Sequence, residues 1–354
     1  MKNRKIYMDL LRIIAILCVI YNHTNEHGYF LYAFPSGMIL KVFYIAVAAI
    51  IAIGVPIFFM ISGALLLGKE ESIEYVYSHR VLRMSLVLFI FTILQYVFLL
   101  STNQAELSVR WLADHTVSDN IVPSYWYLYT YISYLIFLPL LRKLAQAMSN
   151  KEYIYLIGLY LVIEAGVRTA MYFGGYTEFS VFFKIPFFEN IVILPLVGYY
   201  MENRMTKEDY NSKGALKLIC ASGLSLVVFV AMTLYRNLPY EEFTSYDKGL
   251  YTCGLTLIMD ITVFYIIKYL VEVKRQEKPH NETVRKILGL LGTSIFGIYL
   301  VEGNIRYYTE FIDIKLATYV GQFPAAVIWV FLIFVIGLAV SFFLRHIPGL
   351  RKLL

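Results

Sequence analysis

The sequence predicts an all-α integral membrane protein with about ten transmembrane helices and both termini in the cytoplasm. Three observations carry that expectation. The 354 residues are 59% hydrophobic and only 16% charged, with a mean hydropathy of +0.64; a soluble domain is about a quarter charged. Apolar runs long enough to cross a bilayer recur between short polar stretches. Lys and Arg also sort by side: about 22 fall in the connections on the side of the N-terminus and about 8 in the opposite ones, and basic loops stay cytoplasmic.

At about 20 residues per span, the helices fall near 7–25, 42–67, 82–101, 126–141, 153–172, 185–201, 215–235, 249–270, 287–305 and 324–344. The first run follows "MKNRK" but precedes no small-residue cleavage site, so it reads as a retained helix and not a signal peptide. The second contains Ser62 and Gly63 in "ISG", a pair suited to close helix packing. The third follows "HRVLR", and the fourth opens in "SYWYLYTY", whose rings suit a membrane interface. The fifth carries Glu164 and Arg168 one turn apart, an expected ion pair. The sixth begins beside Glu189, and the eighth holds Asp260 mid-span, where a carboxylate needs a partner. The ninth ends near Glu302, while the seventh and tenth rest on apolar length alone.

No loop is long enough for a separate folded unit and no internal repeat is evident, so one membrane domain over 1–354 is expected, with no second transferase fused to it. Cys18, Cys220 and Cys253 lie in apolar segments without paired spacing, which argues against a disulfide or metal framework. The net charge of +6 follows the loop asymmetry, so it gives no reason to expect a nucleic-acid partner. A homo-oligomer is compatible with the sequence.

Two ionisable residues in the first span stand out, because a charge in a membrane helix is costly and marks function by default. Arg12 could snorkel to the cytoplasmic surface, and His23 could be an interfacial histidine. Eleven residues at 100° each, however, come within about 20° of three full turns, so the two share a face about 16 Å apart along the axis. That stripe suits a long ligand with an anionic cytoplasmic end and a reactive outer end, the character of an acyl-coenzyme A. Glu302, Glu189 and Arg168 lie near the outer ends of their spans, level with His23, and Tyr125, Trp126 and Tyr127 open the fourth helix on the same side. Glu302 could orient and charge His23. Trp126, Tyr127, Glu189 and Arg168 are the candidate acceptor contacts. His27 reads as an outer-loop residue, and His79, His280 and His346 lie on the cytoplasmic side, away from the expected chemistry.

"YMDLLRIIAILCVIYNH" resembles the first helix of the membrane-bound acyltransferase-3 family, which is marked by an arginine, ten residues and a histidine; Asp9 matches the acidic residue three before that arginine. "GVPIFFMISGALL" is similar to the family's second-helix segment, "HRVLR" to its R-x-x-R pair, "SYWYLYTYISYLIFLPLL" to its tryptophan-bearing fourth helix, and "GTSIFGIYLVE" to its late S-x-x-x-Y-L helix. The segments come in family order over nearly the whole chain. Two positions depart: Glu302 stands where relatives often have a histidine, and the proline common after R-x-x-R is absent.

The resemblance implies an O-acyltransferase of a bacterial cytoplasmic membrane. Its phosphate-binding arginines would be Arg12, Arg80 and Arg83, since guanidinium groups donate paired hydrogen bonds to phosphate. Acetyl-coenzyme A is the expected donor, a glycan or lipid-linked saccharide the expected acceptor, and no metal is expected. His23 would act as general base, with an acyl-histidine intermediate left open. The alternative is a small-molecule transporter or sensor on the same fold, although no corresponding pair of interrupted helices points to a repeat-built transporter.

Overall fold

A computed structural model describes residues 5–34, 36–117, 121–174, 185–237, 254–274 and 282–353. Cys253, His280 and the start of the expected 249–270 span lie outside them. Every regular element among the described residues is helical: α1 Ile6–Asn22, α2 Met38–Ile51, α3 Gly54–Leu66, α4 Ile73–Ser101, α5 Val109–Val117, α6 Trp126–Ala147, α7 Asn150–Phe173, α8 Asn190–Tyr199, α9 Ser212–Asn237, α10 Gly254–Val273, α11 Glu282–Val320, α12 Gln322–Leu344 and the short α13 Leu350–Leu353. Among these residues, seven helical runs are long and apolar enough to cross a membrane by length and composition, α2 with α3 counting as one. α1 and α8, at 17 and 10 residues, are shorter, and α6 carries four tyrosines in its first nine residues.

α1 packs against α3, α10, α11 and α12, and its Leu11, Ala15, Ile16 and Ile20 are fully enclosed. It ends at His23. The His23 N–H still bonds Val19 O, but Thr24 turns back, its hydroxyl donating to Tyr21 O at 2.7 Å and accepting the Tyr29 N–H at 3.1 Å. Asn25 then takes φ 48°, a left-handed conformation that asparagine tolerates. His23 therefore sits at the negative end of the α1 dipole.

Two departures from the expected spans have local causes. The expected 42–67 helix breaks at Ala52–Ile53. Pro56 has no N–H for the Ala52 carbonyl four residues back, and its ring crowds that carbonyl. The expected 287–305 helix instead runs 39 residues, from Glu282 to Val320, and turns only at Gly321, whose φ of 86° disfavours any residue with a Cβ. Its extension is tied down: His27 Nδ1 bonds Asp313 at 2.8 Å, Gln322 donates to both His27 O and Asp313, and Trp329 Nε1 donates to Thr309 at 2.8 Å.

The other end of the bundle is fastened by side chains on helix ends. Arg142 Nε donates to Leu66 O at 2.9 Å, Gln146 to Leu67 O at 2.9 Å and Asn203 to Ala64 O at 3.1 Å, which satisfies carbonyls left open at the end of α3. Glu202, in the π turn after α8, accepts from Lys5, Tyr7 and Lys268, joining α1, α8 and α10.

Glu71, in the loop before α4, accepts from Arg80 Nε and Nη2 at 2.7 and 2.5 Å and from Arg142 Nη2 at 2.7 Å. Arg80 first, and Arg142 after it, hold this carboxyl down to about 2 against the opposing effect of burial. Its folded pKa lies below its unfolded one, so the clasp stabilises fully above the ordinary carboxylate value of 4.5 and loses that contribution as pH falls toward about 2. The thermal midpoint of wild type should accordingly exceed that of Glu71→Gln at neutral pH. Melting curves across that acidic window should show the difference closing.

Candidate functional site

A cavity of about 620 Å³ runs beside α1, lined by Arg12, Val19 and His23 on that one face. The one-turn repeat of α1 aims all three the same way. Arg80 and Arg83 of α4 enter at the Arg12 end with Tyr75 and His79, and Trp126, Tyr127, Ser124 and Tyr299 surround the His23 end. The stretch between is largely apolar, with Phe58 and Ile61 of α3, Leu135 of α6 and Ile295 and Phe296 of α11. A π turn over Val76–Val81 carries His79 and Arg80 to the cavity; such turns are frequent at functional sites.

At the far end, His23 Nδ1 lies 2.8 Å from Glu302 Oε1, and Glu302 is fully buried. With Nδ1–H donating to the carboxylate, Nε2 is the nitrogen left with a lone pair for a reacting group. Arg306, one turn beyond Glu302, places Nη1 2.5 Å from the His23 carbonyl and Nε 3.9 Å from Glu302 Oε2. One arginine thus fastens the histidine backbone and faces the carboxylate that orients its ring. Tyr125 donates to Leu300 O at 2.9 Å and Tyr299 donates to Ser124 O, locking the start of α6 onto α11 beside this pair.

The three arginines at the other end differ in their partners. Arg12 Nη1 donates to buried Asp9 at 2.8 Å, and Asp9 rests against Gly292, where a Cβ would come within 2.3 Å of its carboxylate. Arg80 is paired with Glu71. Arg83 gives Nε and Nη2 to the Leu353 carbonyl at 3.0 and 2.8 Å, and among the described residues no carboxylate pairs with it. Of the three arginines it is the one without a carboxylate partner among the described residues, which fits a phosphate ligand.

A sequence family described as an acyltransferase domain, acyltransferase-3, matches residues 5–346. The chain belongs to the acyltransferase-3 family. With its long apolar helices, this makes it a multi-pass membrane acyltransferase. No curated protein and no solved structure matches it.

Within this acyltransferase-3 chain the cavity gathers Arg12, Arg80, Arg83, His23, Trp126 and Tyr127, with Glu302 directly behind His23. It does not include Arg168 or Glu189. Arg168 Nε lies 2.7 Å from Glu164 on α7, and Glu189 is an exposed residue at the start of α8. Both were expected from depth alone, and hydropathy reports depth without azimuth. Asp260, only 1% exposed on α10, also lies outside the cavity, and neither of its oxygens has a hydrogen-bond partner among the described residues.

Sequence reasoning passed over Arg306, whose i, i+4 spacing from Glu302 was a usable signal. It also set His79 aside as remote from the chemistry. His79 does lie at the end opposite His23, but it lines the same cavity, its ring stacked on Tyr75 with centroids 4.2 Å apart.

Proposed function

We propose that the chain is an O-acyltransferase, most simply an O-acetyltransferase, moving an acyl group from cytoplasmic acyl-coenzyme A to a hydroxyl of a cell-surface or lipid-linked glycan. The reading takes 1–354 as one unit of ten membrane crossings, with both termini cytoplasmic, in a bacterial cytoplasmic membrane. The observation that carries it is the single cavity that joins three arginines to a histidine backed by a buried carboxylate. The donor's phosphates lie by Arg12, Arg80 and Arg83, its arm runs along the apolar stretch, and its thioester reaches His23 near Trp126 and Tyr127.

His23 Nε2 takes the proton from the acceptor hydroxyl as the oxygen attacks the thioester carbonyl. The tetrahedral intermediate collapses to an ester and expels the coenzyme A thiolate, which takes the proton from the imidazolium. Glu302 and the C-terminal end of the α1 dipole stabilise the imidazolium between these steps.

The test is acetyl-coenzyme A turnover by protein in lipid nanodiscs, wild type beside His23→Ala and Arg83→Ala. Slow thioester hydrolysis reports the chemistry without the true acceptor. His23→Ala should lose about 100-fold or more of the turnover. Arg83→Ala should raise the donor KM about tenfold with kcat little changed. If wild type neither binds nor consumes the thioester, the acyltransferase chemistry assigned to this cavity is wrong, and solute uptake into sealed vesicles becomes the measurement to make.

A further inference from the structure

A second cavity, of about 270 Å³, is lined by Thr24–His27, the residues that follow His23 in the chain. Three stretches of chain line both cavities. On the first, α1 lines the larger cavity from Arg12 to His23, and Thr24–His27 line the smaller one. On the second, Ser124 and Trp126 face the larger, and Val122 and Pro123 the smaller. On α11, Gly292–Tyr299 face the larger, and Gly303–Glu310 the smaller. His23 and Glu302 therefore fall, along the chain, between the stretches that line the one space and those that line the other.

The two spaces differ in chemistry. The wall of the second holds the amides of Asn25, Gln95, Gln104 and Asn304 and the phenol of Tyr307. Amides and phenols both donate and accept hydrogen bonds, as alcohols do. Of the charged groups there, Glu310 lies 2.9 Å from His27 Nε2 and Arg306 is engaged with His23 O and faces Glu302, while Glu26 is an exposed carboxylate on the same wall. The carboxylates of Glu26 and Glu310 on this wall disfavour a negatively charged ligand. The Tyr307 ring is half exposed, a flat apolar face of the kind the C–H side of a sugar ring covers.

We propose that this second cavity is the acceptor subsite, and that it takes a polyhydroxyl group without negative charge, such as the terminal unit of a saccharide, entering from the end opposite the donor. The assignment rests on the acyltransferase reading above. It supplies what that reading lacks, a place from which a hydroxyl approaches His23 without passing the donor.

Gly303 provides the test. It lies mid-helix on the wall of this cavity, and a Cβ there would meet only Val122, at 3.9 Å. Gly303→Leu therefore fills the cavity while improving helix propensity. Membranes of the cells that make this protein carry its acceptor, so they serve as the probe, prepared from cells expressing wild type or a variant as the sole copy. They are given [14C]acetyl-coenzyme A, and label is counted in the saccharide-containing fraction; purified proteins are assayed in parallel for thioester hydrolysis.

Gly303→Leu should keep hydrolysis within about twofold of wild type and lose about tenfold or more of the saccharide label. Gln104→Ala with Tyr307→Phe, which removes polar contacts without adding bulk, should lower the label severalfold. Undiminished label in Gly303→Leu overturns the assignment, as does undiminished label in the double variant where Gly303→Leu has lost hydrolysis as well. Wild-type label found only outside saccharide overturns the ligand class. Wild type without either hydrolysis or label would instead remove the acyltransferase reading itself.

Discussion

Replacing Glu302 with glutamine should lower turnover by about 100- to 10,000-fold while leaving the donor KM near its wild-type value. The change is nearly isosteric, so the cavity that holds the donor keeps its shape. What changes is the partner of His23 Nδ1, now 2.8 Å from a carboxylate oxygen. A carboxylate only accepts, so it fixes the proton on Nδ1 and leaves Nε2 as the base. An amide can turn its NH2 toward Nδ1, which selects the tautomer with the proton on Nε2, the wrong side for accepting one from a hydroxyl. It also removes the negative charge that stabilises the imidazolium formed during transfer. Glu302 is completely buried, so water does not substitute for it. The measurement is a donor titration of thioester turnover for both proteins. A kcat within about threefold of wild type would mean that the carboxylate only packs beside the ring and that His23 is not the base.

Parts of this site were legible in the sequence for a definite physical reason. The common face of Arg12 and His23 follows from helical periodicity within one segment, and periodicity is local. The proximity of Glu302 was foreseeable only as a matter of level, since span ends on one side share a depth. Depth was also the whole of the argument for Arg168 and Glu189, and neither lines the cavity. The break in the 42–67 helix had a visible cause in Pro56, which hydropathy averaging passes over. The long extension of α11 had no comparable apolar signal: "NIRYYTEFIDIKLATYV" is polar enough to read as a connection. It is held in place by residues distant in the chain, among them His27 and Trp329. Arg306 belongs to that stretch, and so do Asn304 and Tyr307 of the second cavity's wall.

The largest loss of stability is expected at a pair of glycines, Gly63→Ala and Gly198→Ala. The expectation from "ISG" was close helix packing, and α3 and α8 meet backbone to backbone. A Cβ on Gly63 would fall 1.9 Å from the Pro195 carbonyl oxygen, and one on Gly198 would fall 2.0 Å from that of Met60. Each glycine thus receives the other helix's main chain, the arrangement that drives association where helices gain no hydrophobic free energy from leaving lipid. Neither obstacle is the end of a flexible side chain, so relief requires the helices to separate. Ordinary overpacking costs about 1–3 kcal/mol, and a rigid backbone clash on both sides should reach or exceed the top of that range. The consequence for the site is direct, because α3 also supplies Phe58, Ile61 and Ser62 to the cavity. Thermal melts in detergent should show either variant strongly destabilised or absent from the folded fraction. Ser62→Ala, which removes a single hydroxyl that donates to Phe58 O and meets the Tyr131 hydroxyl, should melt close to wild type. A Gly63→Ala protein with an unchanged midpoint would mean that α3 and α8 do not meet this closely in the membrane, and the width of the cavity beside them would have to be redrawn.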